Sequence, residues 1–250
     1  MVSRAIYFAA PIVLHNMREK RFDQRLAGAI PYLRKGKVLS DVGTDHAHLP
    51  IYACQNGICP RAVASDINRG PVENARRNIA AAGLADRIAT VCTPGLDGIQ
   101  AYAPEDITIF GMGGELIASI IDAAPWTRDG RIRLVLQPMS HAEILRAYLL
   151  QNGFCILDQT LVKEDKVYQI ICAEYDGIAR SEDDMALWFG SHNVERMHPL
   201  LGELLENKRR LLQTGADGKK MGGKDASFEL SMLAQIDALY ARIKEKGERI

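Results

Sequence analysis

The sequence contains no long apolar run. None of its 250 residues fall in a stretch approaching the ~20 consecutive apolar residues of a membrane-spanning helix, which excludes an integral helical membrane protein. Cysteine is scarce: Cys54, Cys59, Cys92, Cys155 and Cys172 are odd in number and form no C-x-x-C pair. That excludes a disulfide framework and a zinc knuckle, and leaves buried thiols in a cytoplasmic protein as the simplest reading. There is no net charge, with 31 basic residues against 31 acidic. No internal repeat is present, and no nucleophile elbow with His and Asp partners, so serine-hydrolase chemistry has no support. The N-terminal "MVSRAIYFAAPIVLHNM" faintly resembles a signal peptide, but Pro11 interrupts it and no small-x-small cleavage site follows. Residues 1–16 are expected to be a disordered extension, or to precede a natural start at Met17.

One further absence bears on chemistry. "VLSDVGTDHAHLPIY", residues 38–52, opens like a glycine-rich nucleotide loop, with Asp41 at the end of a hydrophobic run and then Gly43. Where the next two glycines would stand, the chain has Asp45 and Ala47.

What is present is ordinary for a globular protein: 47% hydrophobic and 25% charged residues, enough chain for one α/β domain and a small appendage. The charge is uneven. Residues 1–37 hold eight basic side chains (Arg4, Arg18, Lys20, Arg21, Arg25, Arg34, Lys35 and Lys37) and two acids. Such a face suits a polyanion; it equally describes a solvated amphipathic helix.

Periodicity predicts a helix over residues 17–36, ended or kinked by Pro31. Five strands follow, in "KVLSDVG", "RAVASDIN", "RIATVCT", "DITIFGMGG" and "RIRLVLQP", separated by helical patterns. "GPVENARRNIAAAGL" has Pro71 in its first turn and Gly83 past its end, the usual asymmetry of a helix. "FCILDQTLVKED" and "KVYQIICAEYDG" predict an antiparallel hairpin turning at 163–166. Alternating strands and helices imply a doubly wound, mostly parallel sheet. A terminal hairpin in place of a sixth parallel unit resembles the class I methyltransferases that use S-adenosyl-L-methionine (SAM). Beyond Gly177, two apolar stripes flank the breaker "TGADGKKMGGKDAS", predicting a C-terminal helical hairpin or coiled coil over 178–250, after a domain spanning 17–177.

The first strand, Asp41, the turn at Gly43 and a helix start form the βα turn where doubly wound sheets bind ligands. Full glycine loops seat a pyrophosphate at a helix N-terminus. Acids with fewer glycines suit the ammonium and sulfonium of SAM better, which weakens a dehydrogenase reading. Asp66 ends the second strand, where an acid accepts ribose hydroxyls; it could also be a helix cap. Gly111-Met112-Gly113-Gly114 after the fourth strand would let a flat substrate approach the backbone, or form a tight turn without any ligand. Met112 taken alone reads as packing. His46 and His48, two residues apart at a helix start, are expected to diverge, which argues against a metal site.

"DVGTDHAHLPIY", "DINRGPVENARRN", "PGLDGI", "GMGGELI", "LQPM…LRAYLLQNGF" and "EDKVYQII" occur in one order and spacing. Together they resemble the bacterial tRNA (adenine-22-N1)-methyltransferase family over residues 17–176, and the helical hairpin is similar to that family's C-terminal coiled coil. The resemblance implies a class I, Rossmann-like enzyme that methylates adenine N1 in tRNA with SAM. By motif, Asp41, Gly43, Thr44, Asp45 and His46 would bind the methionine end of SAM. Asp66, Ile67 and Asn68 would hold its ribose and flank its adenine, with Gly95 and Leu96 beside the ring. Gly111, Met112 and Gly113 would border the cofactor and face the target base, and Asp45, His46, Gly111 and Met112 are the catalytic candidates. Pro94 departs from the family's Asp or Asn at that place, so adenine recognition would rest on the backbone of Gly95 and Leu96. tRNA phosphates are expected at Arg18, Lys20, Arg21, Arg25, Arg34, Lys35 and Lys37, with Lys219, Lys220 and Lys224 as second candidates. The expected protein is cytoplasmic, monomeric and metal-free. The alternatives are a SAM enzyme acting on another RNA or a small molecule, and a non-catalytic tRNA-binding protein.

Overall fold

The computed structural model describes residues 23–247. The extension over 1–16 and the basic residues Arg18, Lys20 and Arg21 lie outside the described residues. Of the helix expected over 17–36, residues 17–22 lie outside the described residues, and the described part ends before residue 36. Helix α1 covers Gln24–Ala29 and gives way to a 3-10 turn, Ile30–Tyr32, with Pro31 inside it. Asp23 caps α1, its side chain accepting the Arg25 N–H.

Strand β1 (Leu39–Val42), helix α2 (His48–Gln55), β2 (Ala62–Asp66), α3 (Arg69–Ala81), β3 (Ile88–Cys92), β4 (Asp106–Gly113), α4 (Gly114–Asp122), β5 (Arg133–Ser140) and α5 (Ala142–Gln151) follow in alternation. The hairpin is β6 (Phe154–Lys163) and β7 (Val167–Tyr175). The seven strands order as β3-β2-β1-β4-β5-β7-β6. The first five are parallel; β7 enters antiparallel beside β5, and β6 closes the edge. This is the doubly wound sheet with a terminal antiparallel hairpin.

The strands read as apolar runs because both faces are covered. Val42, Val63, Ile107, Ile109 and Leu136 join Ile117, Ile121, Leu145 and Leu149 of α4 and α5 in one cluster. Leu39, Ala62, Ala64 and Val135 join Leu49, Ala53, Ala75 and Ile79 in the other. Residues one apart on a strand thus serve opposite layers.

The C-terminal segment differs from its sequence reading. Two short helices, α6 (Asp184–Phe189) and α7 (Ser191–Glu195), precede the hairpin. Helix α8 runs Leu201–Met221, straight through most of the glycine-rich "breaker", and α9 covers Ser227–Gly247. Glycines in a helix interior cost about 1 kcal/mol each. Here buried Leu212 and Ala216 offset that by packing. The pair is antiparallel, with Gly202 near Tyr240 and Arg209 paired to Asp237. It is also not a free appendage: Leu201, Leu204 and Leu205 share a cluster with Leu161 and Val167 of the β-hairpin and Phe189 of α6. Arg146 of α5 is fully buried at this junction. Its guanidinium donates to Gln159, Gln169 and the Leu187 carbonyl, and burial lowers its pKa to about 10.

Candidate active site

The carboxyl ends of β1 and β4 meet around a cleft of about 430 Å³, lined by residues 41–49, Phe110 and Gly111, with Asp23, Arg25 and Leu26 of the N-terminal segment. Asp41 is buried on its floor. It accepts a 2.7 Å hydrogen bond from the Thr108 hydroxyl of β4 and another from Thr44. Burial raises its pKa, and the two hydroxyls only partly counter this. No Lys or Arg of the described residues pairs with it. A buried carboxylate held by hydroxyls alone is suited to a ligand cation.

The turn after Asp41 is fixed by β2. The N–H groups of Gly43 and Thr44 both reach the Ser65 carbonyl, at 2.8 and 2.9 Å. Gly43 has φ +80°, and a Cβ there would overlap the Met112 Cε from β4. The first loop and the "GMGG" loop are therefore in direct contact. Thr44 is buried, and its hydroxyl accepts the Ala47 N–H at 3.1 Å.

Ala47 overturns one expectation. It takes the left-handed conformation, φ 54°, at the start of α2. The chain therefore turns so that His46 and His48 do not diverge; their rings stack, with centroids 5.2 Å apart and planes at 19°. His46 Nε2 lies 3.0 Å from Asp45 Oδ2, and both side chains are substantially exposed. No group of three or more His, Cys, Asp or Glu side chains among the described residues could hold a metal.

At the end of β2, Asp66 Oδ1 accepts the Asn68 N–H at 2.7 Å, while Asn68 itself begins α3 without a side-chain cap. Asp66 thus shapes the turn with one oxygen and has a second to offer. Ile67 beside it is an exposed apolar side chain, 65% accessible. The Thr93 N–H donates to the Asp66 carbonyl at 2.9 Å and draws in the loop after β3. There Gly95 has φ +55° and Leu96 buries its side chain in the core; both line a neighbouring cleft of about 850 Å³ with Pro94, Gln100, Ile120 and Trp126, not the cleft around Asp41.

Gly111 has φ +78°, and the β4–β5 register slips on either side of Met112. Gly113 leads into α4, and a Cβ on Gly114 would overlap the His141 carbonyl. The loop expected to follow β4 is its bulged end. Two residues that the sequence did not single out support the cleft: Thr108 and Gln137, whose Oε1 accepts the Gly111 N–H at 3.2 Å. Each is a polar residue inside an apolar strand, the signal that could have found them.

The expected basic face divides. Arg25 lines the cleft, in a two-pronged pair with Asp23 and 5.2 Å over the Tyr168 ring. Burial raises the Asp23 pKa, but its hydrogen bonds to Arg25 outweigh this and hold the carboxyl below its ordinary value. Arg34 and Lys37 sit at the other end of the sheet. Arg34 is bound to buried Asp106 at 2.7 Å and to the carbonyls of Glu105 and Arg131; Lys37 pairs with Glu105 at 2.6 Å. Arg34 is thus a structural ion-pair residue, not a phosphate contact: the desolvated Asp106 claims it. Lys35 is exposed at that same end. In the hairpin, Lys219 pairs with Glu229, while Lys220 and Lys224 are exposed.

A family model described as "Methyltransferase domain" matches residues 22–171. The tRNA (adenine(22)-N(1))-methyltransferase of Bacillus subtilis (strain 168) is 37% identical over 173 residues, 66% of this chain and 73% of that protein. The crystal structure of the B. subtilis M1A22 tRNA methyltransferase TrmK is similar at TM-score 0.75 and 28% identity, covering 91% of this chain and 99% of that one. A Streptococcus pneumoniae protein solved in complex with S-adenosyl-L-methionine is similar at TM-score 0.78 and 26% identity, covering 88% and 100%.

Proposed function

This chain belongs to the tRNA (adenine(22)-N(1))-methyltransferase family, and from that membership we propose how its cleft performs the reaction. The protein transfers a methyl group from SAM to N1 of adenine 22 in tRNA. The observation that carries the reading is Asp41, a buried carboxylate with no cationic partner among the described residues, at the carboxyl edge of a methyltransferase sheet. When bound, SAM supplies a methyl group on a sulfonium. Asp41, braced by Thr108 and Thr44, receives the ammonium of its methionine end, with Gly43, Asp45 and His46 around it. Asp66 takes the ribose hydroxyls, Asn68 shapes that turn, and Ile67 covers the adenine opposite the backbone of Gly95 and Leu96.

Gly111, Met112 and Gly113 form the wall for the target base. Neutral adenine N1 is already a nucleophile, so the protein need not remove a proton before transfer. Its task is to position the base, where orientation alone supplies several kcal/mol. The product is cationic. Asp45, oriented by His46, and the carbonyls of the bulge favour that charge. The target adenine leaves its stack to reach the cleft.

Arg25 at the cleft and Lys35, Lys220 and Lys224 at the periphery meet backbone phosphates. The catalytic domain ends near Gly177, and the appendage that follows holds its orientation through the shared Leu161–Phe189–Leu205 cluster. A monomer working in the cytoplasm fits this picture, and no helix among the described residues is long and apolar enough to cross a membrane.

The test is methyl transfer from labelled SAM to bulk tRNA, with nuclease digestion and mass spectrometry of the nucleosides. The expected product is 1-methyladenosine mapping to position 22. SAM binding without transfer to tRNA would discard the substrate and leave a methyltransferase of small molecules.

A further inference from the structure

Strand β5 carries one polar side chain where its neighbours are apolar. Gln137 is fully buried. Its Oε1 accepts the Gly111 N–H at 3.2 Å, and its Nε2 donates to the Pro138 carbonyl at 2.9 Å and lies 3.7 Å from Met139 Sδ. Met139 Sδ in turn receives Arg25 Nη1 at 3.8 Å. The β4–β5 register slips here, between Phe110 and Met112 and again before Gly113. Pro138 stands opposite Met112 and has no N–H, so β5 cannot donate a ladder bond at that point. The Gln137 side chain supplies a bond where the regular ladder fails. Removing it leaves a backbone donor without its partner at the most irregular part of the wall.

We propose that Gln137 is a positioning residue for methyl transfer, fixing the Gly111 peptide at the cleft and tying it through Met139 to Arg25 of α1. The inference rests on the methyltransferase reading above. Gln137 is not among the residues that line the cleft, so it acts through Gly111 and Arg25, which are. Asp41 and Asp66, the acids assigned to SAM, are bonded to Thr108 and to the Asn68 N–H, and neither bonds to Gln137. Loss of Gln137 therefore acts on turnover and spares cofactor binding.

The experiment uses the full chain with Gln137→Leu and Gln137→Glu, measuring kcat on tRNA and the Kd for SAM across a range of pH. Displacing a catalytic wall by about 1 Å can cost ~10²-fold in rate, so Gln137→Leu should lower kcat by about 30- to 100-fold. Its SAM Kd should stay within about threefold of the wild-type value. A protonated Glu offers one acceptor and one donor, as the amide does; an ionised Glu has no donor for the Pro138 carbonyl. The activity of Gln137→Glu relative to wild type should therefore rise as pH falls, while the Gln137→Leu ratio stays flat. A Gln137→Leu enzyme with wild-type kcat, or with SAM affinity lost as fully as turnover, overturns the proposal. So does a Gln137→Glu ratio that does not move with pH, which decides alone if the Leu variant fails to fold. A wild-type enzyme that methylates no tRNA overturns the functional reading itself. An active wild type with unaffected variants overturns only the role of Gln137.

Discussion

At the scale of single residues, Asp41 joins stability to function with opposite signs. Burial holds its pKa above the ordinary carboxylate value in the cofactor-free fold. A carboxyl whose folded pKa exceeds its unfolded one contributes stability below the unfolded pKa and loses it as pH rises through the folded one. Once pH exceeds that folded pKa, the cofactor-free protein carries an unfavourable buried charge. The Tm of Asp41→Asn relative to wild type, both cofactor-free, should therefore rise as pH rises, and the gain should shrink as pH is lowered. The same change removes the partner of the SAM ammonium. A hydrogen bond to a charged group is worth about 1.5–3 kcal/mol, so SAM affinity should fall roughly tenfold or more. Thermal scans at several pH values and calorimetric titration with SAM check both halves. A variant whose relative Tm does not rise with pH and that binds SAM normally contradicts the assignment. Gly43 adds a second constraint: only glycine takes φ +80° freely, and Met112 already fills the space a side chain would need.

At the scale of elements, legibility followed distance along the chain. Strands β1 to β5 and the β6–β7 hairpin were readable because each is a local apolar run between turn residues. The positions of Asp41, Gly43 and Asp66 at the ends of β1 and β2 were readable because an acid or glycine there closes an apolar run. The stacking of His46 on His48 was not, because it depends on a left-handed Ala47 that sequence does not advertise. Arg34 was misread because its partner, Asp106, lies 72 residues away. Thr108 and Gln137 gain meaning only once their neighbours are known. The glycines of α8 looked like a break because propensity is local, while Leu212, Ala216 and Met232 supply the packing that overrides it. That packing makes a prediction. Leu205 is fully buried in the cluster that joins α8 to the β-hairpin. Leu205→Ala should cost about 2–5 kcal/mol. The protein has two tryptophans, Trp126 near α4 and Trp188 on α6. In urea unfolding, single-tryptophan versions should give the same midpoint, and Leu205→Ala should lower both together. Separate midpoints, with only the Trp188 report shifted, would mean that the appendage folds independently.

At the scale of the whole molecule, the balance of 31 basic and 31 acidic residues means that any attraction for RNA comes from where charges lie. The structure consumes many of them internally: Arg34, Lys37, Arg133, Lys163 and Arg209 are all paired with acids. Affinity for tRNA should weaken with salt, and each phosphate contact removed should make the slope of log affinity against log salt shallower by about 0.7–0.9. Replacing Lys220 and Lys224 together with Ser should therefore flatten the slope by roughly one to two, with SAM affinity unchanged. A slope equal to that of wild type places the RNA away from the hairpin tip.

The late position of β7 also orders synthesis. Because β7 lies between β5 and β6, the ribosome makes β6 before the strand that will join it to the sheet exists. Leu161, Val167 and Phe189 then remain uncovered until Leu201–Leu205 have emerged. The nascent chain passes through an interval in which its newest surface is its most adhesive, and a message truncated between those points would yield a product destined for chaperones or proteolysis.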